Sequence, residues 1–92
     1  MVASWYGPNY HGRQTASGDV FDMHDLTAAH KSLPFGTKLR VTYPGTSKSI
    51  VVLVNDRGPF IAGRDLDLSY GAAKKLGMVE QGVALVKIER LN

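Results

Sequence analysis

The chain has 92 residues, 10 glycines, 4 prolines and no cysteine, which bounds it to one small domain and excludes a disulfide scaffold or a thiolate-held zinc or iron–sulfur site. Apolar residues make up 43% and charged residues 21%, which excludes a disordered tail, and no apolar run approaches the ~18 residues needed to cross a membrane. The net charge of +3 suits an anionic partner, but the bases stand singly apart from Lys74-Lys75, without the clustered stripe of a nucleic-acid surface, so no nucleic-acid partner is expected.

In chain order, Val2–Tyr6 is an apolar run that predicts a first strand, broken by Gly7-Pro8-Asn9. Gly12 to Gly18 is polar and flanked by glycine, as in a loop. Leu26–Ser32 predicts a short helix, started by Asp25 or Thr27 and ended at Leu33-Pro34, because the residue before proline avoids the helical region. Thr37–Tyr43 alternates Leu39, Val41 and Tyr43 with Lys38, Arg40 and Thr42, the pattern of a half-buried strand. After the Pro44-Gly45 turn, Ser49–Asn55 is a β-branched run, and the two segments predict a hairpin. Asn55-Asp56-Arg57-Gly58-Pro59 is dense in turn formers and ends that strand. Asp65–Leu68 predicts a short strand. Ser69 then caps a helix over Tyr70–Leu76, with Gly77 just past its end. Gly82–Arg90 predicts a closing strand with Val83, Leu85 and Ile88 facing in.

Short strands with two helical turns point to a mainly β domain, and closure into a small barrel would remove its exposed edges. Met1 abuts the first strand with no charged n-region or apolar h-region. The chain therefore reads either as cytosolic or as a mature domain cut from a longer exported precursor.

Asp56 is the first candidate for chemistry. It leaves a buried strand on a turn, where a carboxyl group is well placed for general acid–base work, although an Asp there also makes an Asx-turn. Asp19, with Asp22 nearby, offers a second carboxylate, as glycosidic cleavage requires, or else a solvated loop charge. His30 suits proton transfer or the orienting of a carboxylate, or stands half-buried with its ring nitrogens satisfied. His11, His24 and His30 match no metal-ligand spacing, so no metal is expected. Trp5, Tyr6 and Tyr10 offer rings to stack on sugar faces, and strand alternation sends one of Trp5 and Tyr6 outward and the other into the core. Arg13 and Arg64 each adjoin a glycine and suit substrate oxygens or open solvent.

Taken together, Ala3-Ser4-Trp5-Tyr6-Gly7, His11-Gly12-Arg13, Thr15-Ala16, Phe21-Asp22-Met23, Leu26-Thr27-Ala28-Ala29-His30-Lys31, Leu33-Pro34-Phe35-Gly36-Thr37, Val54-Asn55-Asp56-Arg57-Gly58-Pro59-Phe60, Gly63-Arg64 and Asp67-Leu68-Ser69 resemble the rare lipoprotein A (RlpA) domain of bacterial cell envelopes. The resemblance covers nearly the whole chain. It implies one domain over 1–92, a six-stranded double-psi β-barrel with two short helices, related to expansins and some endoglucanases. It implies a monomeric lytic transglycosylase that needs no cofactor. Such an enzyme cleaves the β-1,4 bond between N-acetylmuramic acid and N-acetylglucosamine in peptide-free peptidoglycan strands and leaves a 1,6-anhydro end. The alternatives are a non-catalytic, expansin-like glycan-binding module and a two-carboxylate hydrolase.

Carried onto this chain, the resemblance makes Asp56 the general acid and then the base, and gives His30 a supporting or orienting role. Asp19 stands where the family usually carries Glu, one methylene shorter. Trp5, Tyr6, Tyr10, Arg13, Asn55, Arg57, Arg64 and Asp67 are expected to hold substrate, Asp67 because related barrels use an Asp near that strand. Neither the lipoprotein leader nor the accessory SPOR domain of many members is expected in this chain. For Asp56 to keep a proton, the Arg57 side chain is expected to point away from its carboxyl.

Overall fold

A computed structural model describes residues 1–6 and 8–92, the side chain of Pro8 excepted. Gly7, part of the expected Gly7-Pro8-Asn9 break, lies outside the described residues. The strands are β1 (Val2–Tyr6), β2 (Thr27–His30), β3 (Lys38–Tyr43), β4 (Lys48–Asp56), β5 (Leu66–Ser69), β6 (Val83–Leu85) and β7 (Lys87–Arg90). One helix, α1 (Tyr70–Leu76), follows β5, and Pro8–Tyr10 forms a single 3-10 turn. The strands form one sheet in the order β6-β1-β5-β2-β4-β3-β7. The two end strands, β6 and β7, are halves of one segment joined at Val86, so the sheet returns on itself through the covalent chain. Val86 is buried, and its N–H donates to the Met1 carbonyl at 2.8 Å, which seals that corner.

Register decides which side chains meet inside, because directly opposed residues point to the same face. Ala3 pairs with Leu66, Ala28 with both Leu68 and Val54, and Leu39 with Val52. All are buried, and with Val41, Leu76 and Met78 they form the core. α1 closes that core with Ala72, Ala73 and Leu76. Its ends behave as the sequence predicts. The Ser69 side chain accepts the Ala72 N–H, and Gly77 takes the left-handed conformation at φ 75°.

Two expectations fail for reasons of tertiary pairing. The helix expected over Leu26–Ser32 is strand β2, hydrogen-bonded to β5 on one side and β4 on the other. Two ladders outweigh the helix propensity of Ala28 and Ala29. The Gly82–Arg90 strand is split, which with β2 gives seven strands, and the loss of the first expected helix to β2 leaves one α-helix. Val83 and Leu85 face out, because Ala84 is the residue that pairs with inward Ala3, and Val86 and Ile88 continue the inward phase.

The Leu26–His30 segment is preceded by a loop that presses on α1. Gly71 donates its N–H to the Met23 carbonyl at 2.7 Å. A Cβ built on Gly71 would lie 2.5 Å from the His24 carbonyl oxygen, and neither backbone can yield cheaply. Gly71→Ala is therefore expected to destabilise the fold by about 1–3 kcal/mol despite alanine's better helix propensity, read as a lowered urea midpoint with unchanged slope.

Candidate active site

β4 carries an irregularity where it meets β2. Ala28 pairs with Val54, but the next residue, Ala29, pairs with Asp56, so Asn55 is an extra residue on β4. Val52 and Val54 point into the core. Strict alternation would send Asp56 after them, and the bulge turns it to the opposite face instead. There it falls into a row across four strands: Asp56 on β4, Ala29 on β2, Asp67 on β5 and Ser4 on β1. Asp56 and Asp67 thus stand two strand spacings apart, roughly 10 Å between Cα atoms, with only a methyl side chain between them.

This row floors a cleft of about 320 Å³ lined by Tyr6, Tyr10, Ala29, Asp56, Asp67 and the segment Arg57–Ile61. Asp56 is half-buried, and its Oδ1 accepts the N–H of Ala16 at 2.9 Å and of Arg57 at 2.8 Å. The Ala16 bond comes from the first loop, which also donates the Ser17 N–H to the Asn55 carbonyl. The loop that the sequence shows as polar linker is therefore clamped to the bulge. Asp67 accepts the Ser4 hydroxyl at 3.0 Å. Burial raises the Asp67 pKa above the ordinary carboxylate value, and the charge of Asp56 adds to this, while Ser4 and Arg64 oppose it.

The Arg57 side chain points away from the Asp56 carboxyl, as expected. Its Nη1 donates to the carbonyls of His30 at 3.2 Å and Leu33 at 2.8 Å, and its guanidinium lies 4.0 Å from the Phe35 ring centre. Among the described residues the only ion pairs are His11 with Asp22 and Arg40 with Glu89. Gly58 follows at φ 123°, a conformation open to glycine, and lets the chain turn sharply from β4 into the cleft wall.

Of the residues singled out from sequence, Asp56, Asp67, Tyr6, Tyr10 and Arg57 line the cleft. His30 stands beside it. Its Nδ1 accepts the N–H groups of Ser32 and Leu33, which puts its proton on Nε2 and locks the ring to the turn that holds Arg57. Burial, and then the Arg57 charge, hold the His30 pKa below its ordinary value, with Asp65 opposing. Asp19 is exposed in the first loop and does not line the cleft. Asn55 is the buried bulge residue, and its Oδ1 has no partner among the described residues. Trp5 packs against the core and donates its indole N–H to the Val79 carbonyl, whereas Tyr6 faces the cleft. Arg13 is exposed, 5.9 Å from the Tyr10 ring centre, and Arg64 reaches the site only through its charge on Asp67.

Tyr6 is held by stacking on Phe21, with ring centres 4.7 Å apart, and by the edge of Tyr10. Its hydroxyl is buried with no partner among the described residues. Burial, Asp56 and Asp67 all push its pKa up, so it stays protonated in the cleft. Phe60 and Ile61 complete the wall. Sequence reasoning gave neither a place in the site; the signal was two large apolar residues directly after a turn-forming run. Among the described residues no cluster of His, Asp and Glu converges on a metal position, and no helix is long and apolar enough to cross a membrane.

A double-psi β-barrel with two aspartates side by side on the floor of an open cleft defines a carboxylate-bearing member of that barrel class. The chain belongs to the family described as lytic transglycolase, whose model matches residues 1–88. Among its relatives, the endolytic peptidoglycan transglycosylase RlpA of Pseudomonas aeruginosa strain PAO1 is 52% identical over 91 residues, 99% of this chain and 27% of that one. The corresponding protein of Neisseria meningitidis strain MC58 is 54% identical over 89 residues, 97% of this chain and 37% of that one. The chain thus spans about a third of the length of these relatives or less. In fold it is similar to the Streptomyces papain inhibitor, with TM-score 0.78 and 23% identity over 99% of this chain and 91% of that one. It is similar too to cerato-platanin 3 from M. perniciosa, with TM-score 0.73 and 17% identity over 99% of this chain and 93% of that one.

The raised Asp67 pKa has a consequence for stability. Asp67 contributes its full share below the carboxylate range and loses it as pH rises through its folded-state pKa, because the buried group must then ionise. Asp67→Asn keeps an acceptor for Ser4 and cannot ionise. It is expected to melt above the parent protein near neutral pH and level with it near pH 3, below the ordinary carboxyl range. Thermal melts at the two pH values read the difference.

Proposed function

We propose that the chain is the cleaving domain of a lytic transglycosylase that acts on the β-1,4 bond between N-acetylmuramic acid and N-acetylglucosamine in peptide-free peptidoglycan strands. The observation that carries this reading is the Asp56–Asp67 pair standing on either side of Ala29 in an open cleft. Family membership and the names of the relatives support the substrate class. Work on peptidoglycan implies the bacterial cell envelope as its location.

Asp56 carries the proton. Its Oδ1 is fixed by backbone N–H groups, which leaves Oδ2 to meet the glycosidic oxygen. The carboxyl gives its proton to the glycosidic oxygen as the bond from that oxygen to the muramic C1 breaks, and the bond's electron pair leaves with the N-acetylglucosamine C4 oxygen. The Asp56 carboxylate then takes the proton of the muramic C6 hydroxyl, whose oxygen bonds to C1 and closes the anhydro ring. The proton is returned and no water is consumed. Asp67, held by Ser4 on the neighbouring strand, supplies the second carboxyl, which stabilises positive charge at C1 when ionised. His30 is a positioning residue: its ring fixes the turn that holds Arg57, and Arg57 leaves the Asp56 carboxyl free of a guanidinium.

The pair also suits a second reading, hydrolysis by two carboxylates. Two carboxyls on one face with a methyl side chain between them leave room for the water that inverting enzymes seat between groups ~6.5–9.5 Å apart. Asp67, not the exposed Asp19, would be the second group. Mass spectrometry of products from peptide-free strands separates the two, because hydrolysis leaves a reducing end and transglycosylation an anhydro ring.

Asp56→Asn is expected to lower the release of new ends by at least ~100-fold with the fold intact. Release of anhydro ends at the parent rate by that variant would remove Asp56 from the chemistry.

A further inference from the structure

We propose that Phe60 is a stacking platform for a pyranose ring of the strand, one that sets how the glycan lies over Asp56. This deepens the reading above and rests on it. Phe60 is 81% exposed, a costly position for so large an apolar side chain, yet it lines the cleft with Asp56 only four residues earlier. One edge of the ring lies beside Gly58, where a Cβ built on the glycine would stand 3.6 and 3.7 Å from it, and most of the ring surface is open. Ile61, 55% exposed, extends the same apolar surface. Tyr10, 50% exposed, stands in the same lining and brings Arg13 with it.

A groove with aromatic surface and a floor of two carboxyls suits a particular chemistry. A β-linked pyranose presents axial C–H groups on one face, which pack on an aromatic ring, and hydroxyls at its edge, which meet the polar floor. An N-acetylhexosamine adds a methyl group that fits the apolar surface of Ile61. A lipid surface or a protein segment would also cover Phe60, but neither uses the carboxyl pair that shares its cleft. The continuity of the exposed ring with that pair is what selects the glycan.

The Tyr6 ring is less open: Phe21 covers one of its faces and Tyr10 packs edge-on to it, whereas Phe60 and Tyr10 are exposed.

The test is binding of peptide-free glycan strands to the chain, followed by NMR titration, in the parent and in Phe60→Ala, Phe60→Trp and Phe60→Leu, each carrying Asp56→Asn so that the strands are not cleaved. Phe60 is exposed, so each variant is expected to melt within a degree or two of the parent. Phe60→Ala is expected to bind roughly tenfold more weakly, Phe60→Trp to bind as the parent does, and Phe60→Leu to stay weak, because leucine is apolar but has no ring. Parent-like binding by Phe60→Ala or Phe60→Leu overturns the stacking role and leaves the cleavage reading intact. Loss of binding to phosphatidylglycerol vesicles in Phe60→Ala, with glycan binding unchanged, assigns the ring to a lipid surface and overturns it as well. Failure of the parent chain to bind strands at all overturns both readings.

Discussion

One extra residue in β4 decides which face of the strand meets the cleft. Asn55 has no partner of its own on β2, and its insertion exchanges the faces of the strand for every residue after it. Upstream, Val52 and Val54 belong to the core. Downstream, Asp56 belongs to the cleft. A regular ladder would drive a carboxyl group into an apolar interior, where it would be neutralised or would cost several kcal/mol. The same insertion frees the Asn55 carbonyl to receive Ser17 and brings the first loop over Asp56.

Small side chains then make room for what the bulge aims. Ala29 lies between the two aspartates, and Ser4, at the end of the row, supports the second. A larger residue at 29 would fill the floor and separate the carboxyls. This is also why the segment misleads as sequence. Two consecutive alanines are the best helix formers, but here one is wanted for a crowded core and the next for an open cleft. Smallness, not propensity, is the property in use.

What was legible in the sequence was local. The β3–β4 hairpin follows from period-two alternation on either side of Pro44-Gly45, and α1 from Ser69 and Gly77 at its ends. Asp56 was legible as a carboxyl leaving a buried strand. Non-local pairing was not. β2 becomes a strand only because β4 and β5 flank it, and the phase of β6 is set by Ala3, some eighty residues away in the chain. The neighbour of Asp56 was not legible for the same reason. Family pattern points to Asp19, and only register across β4, β2 and β5 shows that Asp67 shares the floor. Phe60 was legible only as part of a motif, because its place after a turn-forming run does not say whether the ring is exposed or in the core.

The seam at Val86 bears on how the chain reaches this state. β1 is sandwiched between β5 and β6, and the Met1 carbonyl waits for the Val86 N–H. The first strand emerges from the ribosome long before either neighbour exists. Both parallel pairs, β1 with β5 and β2 with β4, also close long stretches of chain. Such a contact map places the domain among slow folders, on the millisecond-to-second scale, with docking of the last strands as the step that commits the whole barrel. Until then the apolar faces of β1 and β3 are open to other chains, so the interval between synthesis and closure is when this domain is most exposed to aggregation.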